Sequence, residues 1–148
     1  MNALDEKRNV LLEIADLKVH FDIKDGKQWF WQPSKTLKAV DGVTLRLYEG
    51  ETLGVVGESG CGKSTTARLL MQLLTQDSGE LIFDGQGVGS SRLPLKAYRR
   101  QVQMVFQDSY ASLNPRMTME ESIAFGQRVH GVSAREASEY ARYLLAHV

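Results

Sequence analysis

The chain is poor in several things. Its 148 residues include one cysteine, Cys61, which rules out an internal disulfide and suits a reducing compartment. Net charge is lacking as well. Eighteen Lys and Arg offset eighteen Asp and Glu, so no overall field draws the chain to polyanions, and no nucleic-acid partner is expected. No apolar run reaches the ~18 residues that a membrane-crossing helix needs. The opening residues, MNALDEKRNV, mix charges and lack the apolar stretch of a secretory signal. Internal repeats and low-complexity tracts are missing, and His20, His130 and His147 stand without metal-ligand spacing. A cytosolic protein is the simplest expectation. What is present, 43% apolar and 24% charged residues, is ordinary for a folded domain of this length.

Period-two alternation marks two half-buried strands, within LLEIADLKVHF (11–21) and KAVDGVTLRLY (38–48). Between them, DIKDGKQWFWQPSKT reads as a loop or hairpin excursion. TLGVVG (52–57) and VQMVF (102–106) are short apolar runs of the kind that form strands buried on both faces. STTARLLMQLL (64–74) has the apolar spacing of a helix through Ala67, Leu70, Met71 and Leu74. ELIFDG (80–85) is a strand and turn, and a short helix is predicted to begin near Pro94. Two further helices open on capping-box patterns, Thr118 with Glu121 and Ser133 with Glu136, and Gly131 separates them. This order predicts an α/β fold. It runs β-rich, then strand–loop–helix–strand, then helices, an α/β core with a helical appendage.

The chemistry concentrates in GESGCGKSTT (57–66). Gly57, Gly60, Gly62, Lys63 and Ser64 satisfy G-x-x-x-x-G-K-[ST]. Backbone N–H groups can wrap a phosphate chain only where side chains do not collide with it, and such a wrap needs positive φ angles. The whole loop is therefore the candidate triphosphate site: Gly57, Glu58, Ser59, Gly60, Cys61, Gly62, Lys63, Ser64 and Thr65. Lys63 brings a point charge to the outer phosphates, Ser64 a hydroxyl for Mg²⁺, and the following helix its N-terminal dipole. Asp84-Gly85 with Gly87 spells D-x-x-G, which GTPases also use, but N-K-x-D is absent and a plain turn is the simpler reading. Arg99, Arg100 and Arg116 are candidates to steer phosphates or meet acidic partner loops, though such arginines most often form a solvated face.

GESGCGKST followed some forty residues later by VFQDSYASLNPRMT resembles an ATP-binding cassette ATPase. More narrowly, it is similar to the ATPase subunits of bacterial oligopeptide and dipeptide importers, and over the N-terminal part to the F-type subunits of oligopeptide permeases. The resemblance implies an N-terminal antiparallel β-subdomain (about 10–50), a phosphate-loop core (51–107) and the start of a helical subdomain (108–148), with ATP and Mg²⁺ as cofactors. It makes Gln107 the glutamine that reaches the metal and attacking water, so that Lys63 and Gln107 are the catalytic candidates and Ser64 and Gln107 the metal-facing ones. Phe21 lies where the family stacks an aromatic ring under adenine, with Trp29, Phe30 and Trp31 as rival platforms. The implied partners are transmembrane permease subunits and a second ATPase subunit, identical or not, on the inner face of the inner membrane. The family's L-S-G-G-Q signature does not occur, nor does an apolar run ending in Asp-Glu, nor a switch histidine after it. The chain is accordingly expected to be the N-terminal portion of such an ATPase, one that binds ATP without completing hydrolysis. A non-catalytic module and an unrelated phosphate-loop GTPase or kinase are the alternatives.

Overall fold

Alternating apolar residues in the first third of the chain form two long strands, β1 (Val10–Ile23) and β2 (Lys35–Tyr48). The computed structural model describes residues 8–23, 35–108 and 110–148. These form two compact units, one ending at Gln103 and one spanning Met104–Val148. The excursion carrying Trp29, Phe30 and Trp31 lies outside the described residues.

In the first unit, β1 pairs antiparallel with β2 on one side and with β3 (Ser78–Phe83) on the other, and β3 turns into the two-residue β4 (Gln86–Gly87). Asp84 and Gly85 connect β3 to β4 with φ 48° and 68°. Two positive φ angles suit the right-handed twist of a tight hairpin, so the D-x-x-G pattern here is a turn.

The sheet is irregular at several rows. Asp16 is an extra residue in β1 with φ 48°; its N–H donates to the Thr44 hydroxyl at 3.0 Å on the β2 side, and it faces Gly79 (φ 94°) in β3. Gly42 (φ 81°) is an extra residue of β2, one step further along. A β-carbon on Gly79 would stand 2.4 Å from the Asp16 carbonyl oxygen. The bulge shifts the side-chain parity of β1, so Ile14 and Leu17, an odd number of residues apart, are both buried.

Two helices complete this unit. The helix α1 (Lys63–Leu70) packs its fully buried Leu69 into a core with Ile14, Leu17, Val40 and Leu81. The helix α2 (Leu95–Gln101) adds Tyr98, whose ring meets Phe83 edge-on at 5.4 Å. The helix expected to run to residue 74 stops at Leu70, because Gln72 is left-handed (φ 53°) and the chain end is held by α2. Leu69, rather than the expected Leu70 or Met71, is its fully buried residue.

The two apolar runs expected to be buried strands are not. Residues 52–57 and 102–106 join no ladder. Val56 and Val105 are 93% and 91% exposed. A strand buried on both faces needs a neighbour along each edge, and among the described residues the sheet is β2-β1-β3-β4, with neither run in it.

The second unit is a helical hairpin, α3 (Met119–Val129) and α4 (Ala134–Leu145). Both predicted capping boxes form. Thr118 Oγ1 accepts from the Glu121 N–H while Glu121 accepts from the Thr118 N–H at 2.7 Å, and Ser133 with Glu136 repeats the pattern. Ala124, Ala137 and Ala141 form the buried seam, and Arg142 reaches Glu120 at 3.0 Å.

Candidate functional site

The glycine loop closes on itself. The Lys63 ammonium donates to the carbonyl oxygens of Gly57 at 2.7 Å and Glu58 at 2.6 Å, and lies 3.4 Å from Cys61 Sγ. Lysine is therefore tied across the mouth of the loop by the backbone atoms that frame it. Gly60 and Gly62 have φ 82° and 95°, and Gly62 serves as the N-cap of α1. Position 62 admits no side chain, because a β-carbon there would stand 2.4 Å from the Ala39 carbonyl of β2. At Gly60 the same atom would project into open space. One face of the loop is thus pressed against the sheet and the other is open.

No side chain caps α1, and its first turn has no acidic residue. An anion placed there meets unopposed N–H dipoles. Ser64 is exposed on that first turn, Lys63 and Thr65 are half-buried, and Thr66 Oγ1 is turned away from the loop to donate to the Gly62 carbonyl at 3.0 Å. Glu58, Ser59 and Cys61 are exposed. Among the described residues no group of three His, Cys, Asp or Glu is arranged to hold a metal ion. The donor on the loop's first helical turn is the exposed Ser64 hydroxyl, an oxygen of the kind Mg²⁺ accepts while keeping most of its water and taking other ligands from phosphate.

Phe21 sits near the open end of β1, paired with Leu37 beyond a register shift that leaves Ala39, the residue Gly62 touches, unpaired between Val40 and Lys38. It is 39% exposed, so its ring is available. Gln107 belongs to the second unit, exposed at a bend that starts a run of turns. Asp108 Oδ1 accepts from the Ala111 N–H at 3.0 Å, and Asn114 Oδ1 accepts from the Arg116 N–H at 3.0 Å. These side chains mimic backbone turns and lead the chain to the Thr118 cap, which explains the Asn-Pro-Arg-Met-Thr run in physical terms.

Arg99, read from sequence as a surface cation, donates Nη2 to the Gln72 carbonyl at 2.7 Å. Tyr98 is absent from every motif and yet fully buried, with its hydroxyl on the Leu70 carbonyl at 2.7 Å. Burial pushes its phenol up to about 12. An aromatic flanked by Lys96, Arg99 and Arg100 was the available signal.

Residues 40–147 match the ABC transporter family. The oligopeptide transport ATP-binding protein OppF of Escherichia coli K12 is 58% identical over 151 residues, covering 100% of this chain and 45% of that protein. OppF of Salmonella typhimurium is 66% identical over 125 residues, covering 84% of this chain and 37% of that protein. The chain thus spans less than half the length of these curated relatives. Among solved structures, CbiO1 of Clostridium perfringens, part of the ABC transporter complex cbiONQ, superposes with a TM-score of 0.61. It shares 23% identity and covers 88% of this chain and 47% of that one, a likeness of fold. The family match starts in β2 and continues through the loop, α1 and the glutamine segment to the last helix; the chain belongs to the ABC transporter family.

Proposed function

We propose that residues 57–65 cradle the triphosphate of ATP with Mg²⁺, and that the protein is an ATP-binding subunit coupling that nucleotide to oligopeptide uptake. The observation that carries this reading is the loop itself: Lys63 held across two carbonyls, Gly62 pressed on Ala39, and an uncapped helix start behind them. Lys63 exchanges the Gly57 and Glu58 carbonyls for the outer phosphates, and the amides of 60–65 turn to the inner ones. Ser64 supplies a hydroxyl to the metal, which would neutralise charge on the phosphates. Phe21 stacks beneath the base, and Gln107 serves as the metal- and water-facing amide. On this reading 10–50 is the base-stacking β-subdomain, 51–107 the phosphate-loop core and 108–148 the start of the helical subdomain.

The rest of the proposal follows from the relatives, which are named as oligopeptide transport ATP-binding proteins. Among the described residues no helix is long and apolar enough to cross a membrane. The subunit is proposed to work against transmembrane partners at the inner face of the membrane, beside a second ATPase subunit. This portion binds ATP but does not turn it over unaided, since the sequence contains neither L-S-G-G-Q nor an apolar run ending in Asp-Glu to orient the water.

Calorimetry with Mg-ATP on Lys63→Ala tests the cradle. Losing one charge-assisted contact should cost about 1.5–3 kcal/mol of binding. Unchanged binding refutes the assignment. Phosphate release no faster than that of the same variant is the expected result for the 148-residue chain, and turnover above it refutes the non-catalytic part.

A further inference from the structure

The helix behind the phosphate loop is gripped by its far end. An α-helix finishes with carbonyls that have no partner inside it. In α1, those of Ala67, Arg68 and Leu69 accept from the backbone N–H groups of Met71, Leu73 and Gln72. The Leu70 carbonyl takes the Tyr98 hydroxyl at 2.7 Å. Beyond it, Gln72 is held left-handed (φ 53°) by its carboxamide on the Leu69 carbonyl at 3.1 Å and by Arg99 on its own carbonyl at 2.7 Å. Tyr98 is 0% exposed and its ring is wedged against Phe83, so the hydroxyl cannot swing away without opening the core.

The near end has less to hold it. Residues 51–58 form no ladder, so no paired strand fixes the approach to the loop. Its position is set by Gly62 against Ala39 and by α1. A helix of eight residues is a rod about 12 Å long. A shift at Leu70 therefore reappears at Lys63.

We infer that Tyr98, assisted by Arg99, is a positioning residue for the phosphate loop: α2 grips the last carbonyl of α1 and the Gln72 carbonyl just beyond it, and so sets where Lys63 and the loop amides stand. This rests on the reading of 57–65 as a triphosphate cradle. Because only the phosphate-facing end is moved, loss of the grip weakens ATP and inorganic tripolyphosphate by the same factor, with no dependence on the base.

The test is Tyr98→Phe, which keeps the ring and removes the hydroxyl. Affinities for Mg-ATP and for tripolyphosphate are measured well below the melting temperature, with amide exchange over 62–66 measured on the ligand-free chain. Leu45→Ala, on the β2 side of the core, serves as a destabilised control that leaves the hydroxyl and its Phe83 wedge in place, and Lys63→Ala as the control for the cradle. The expected result is an affinity loss of about three- to fivefold for both ligands in Tyr98→Phe, the scale of one hydrogen bond. Exchange over 62–66 should quicken, while Leu45→Ala loses melting temperature and keeps affinity. Full affinity in Tyr98→Phe beside a loss in Lys63→Ala overturns the positioning role and leaves the cradle standing. Unchanged affinity in both variants overturns the cradle, and the inference falls with it. Should Tyr98→Phe fail to fold, Arg99→Gln removes the Gln72 contact from an exposed position. Unaltered exchange over 62–66 in that variant overturns the grip.

Discussion

The two units are held together by different forces. The first buries large side chains, among them Ile14, Leu17, Leu69, Phe83 and Tyr98. The helical hairpin of the second buries three alanines and leaves Phe125, Tyr140 and Tyr143 exposed. Burial of apolar area is strong and involves no charge for salt to screen, whereas alanine seams bury little and let helices approach closely. What the hairpin lacks in buried area it offsets with two capping boxes and the Glu120–Arg142 pair. One unit is thus stabilised chiefly by packing and the other chiefly by hydrogen-bonded helix ends.

Leu69→Ala should break the comparison most severely. A cavity in the first core costs about 2–5 kcal/mol. Denaturant unfolding followed by amide exchange should show that loss in β1–β3 while α3 and α4 keep their protection. Equal loss in both units would show that they fold as one.

Ala137→Leu is the matching insult to the hairpin. Forcing a leucine into a seam built for alanine should cost about 1–3 kcal/mol. The helical signal of α3 and α4 should fall with the β-sheet exchange pattern unchanged.

Ser133→Ala removes one cap and should cost about 1 kcal/mol, visible as fraying at the start of α4. A neutral outcome would mean that the seam, not the caps, holds the hairpin.

Opposite pH limits give the gentlest contrast. The Arg142 guanidinium beside Glu120 and the Thr118 N–H on Glu121 hold both carboxyls below their ordinary 4.5. Unfolded carboxyls then bind protons more readily than folded ones, so the hairpin keeps this stability above about pH 4.5 and loses it as pH falls through the lower folded values. Tyr98 runs the other way. Its folded phenol, at about 12 against an ordinary 10.0, keeps its proton after the unfolded one has lost it, so the first unit weakens as pH rises from 10 to 12. Exchange protection of each unit across pH checks both limits.

Local patterns were legible in the sequence wherever a few neighbouring residues decide the outcome. Alternation gave β1 and β2, Asp84-Gly85 gave the tight turn, and Thr118 and Ser133 gave the helix starts because caps are made within one turn. The loop was legible since its glycines and lysine must be contiguous. Residues 52–57 and 102–106 misled because a strand is a property of its neighbours, which no local pattern reveals. Tyr98 escaped for the same reason: its partner Leu70 lies 28 residues away, and nothing in either segment announces the other.

The bulge at Asp16, with Gly79 pressed against it, constrains how this chain can diverge. A β-carbon at position 79 has no room until the Asp16 carbonyl withdraws. Straightening β1 there removes its extra residue, and every side chain from Leu17 to Ile23 then changes face, Phe21 included. Positions 16 and 79 therefore change together, and a one-residue deletion at 16 acts across the strand as a frameshift acts on a message. Relatives that have lost glycine at 79 are expected to have lost the bulge as well, and to carry their apolar residues one place out of step beyond it.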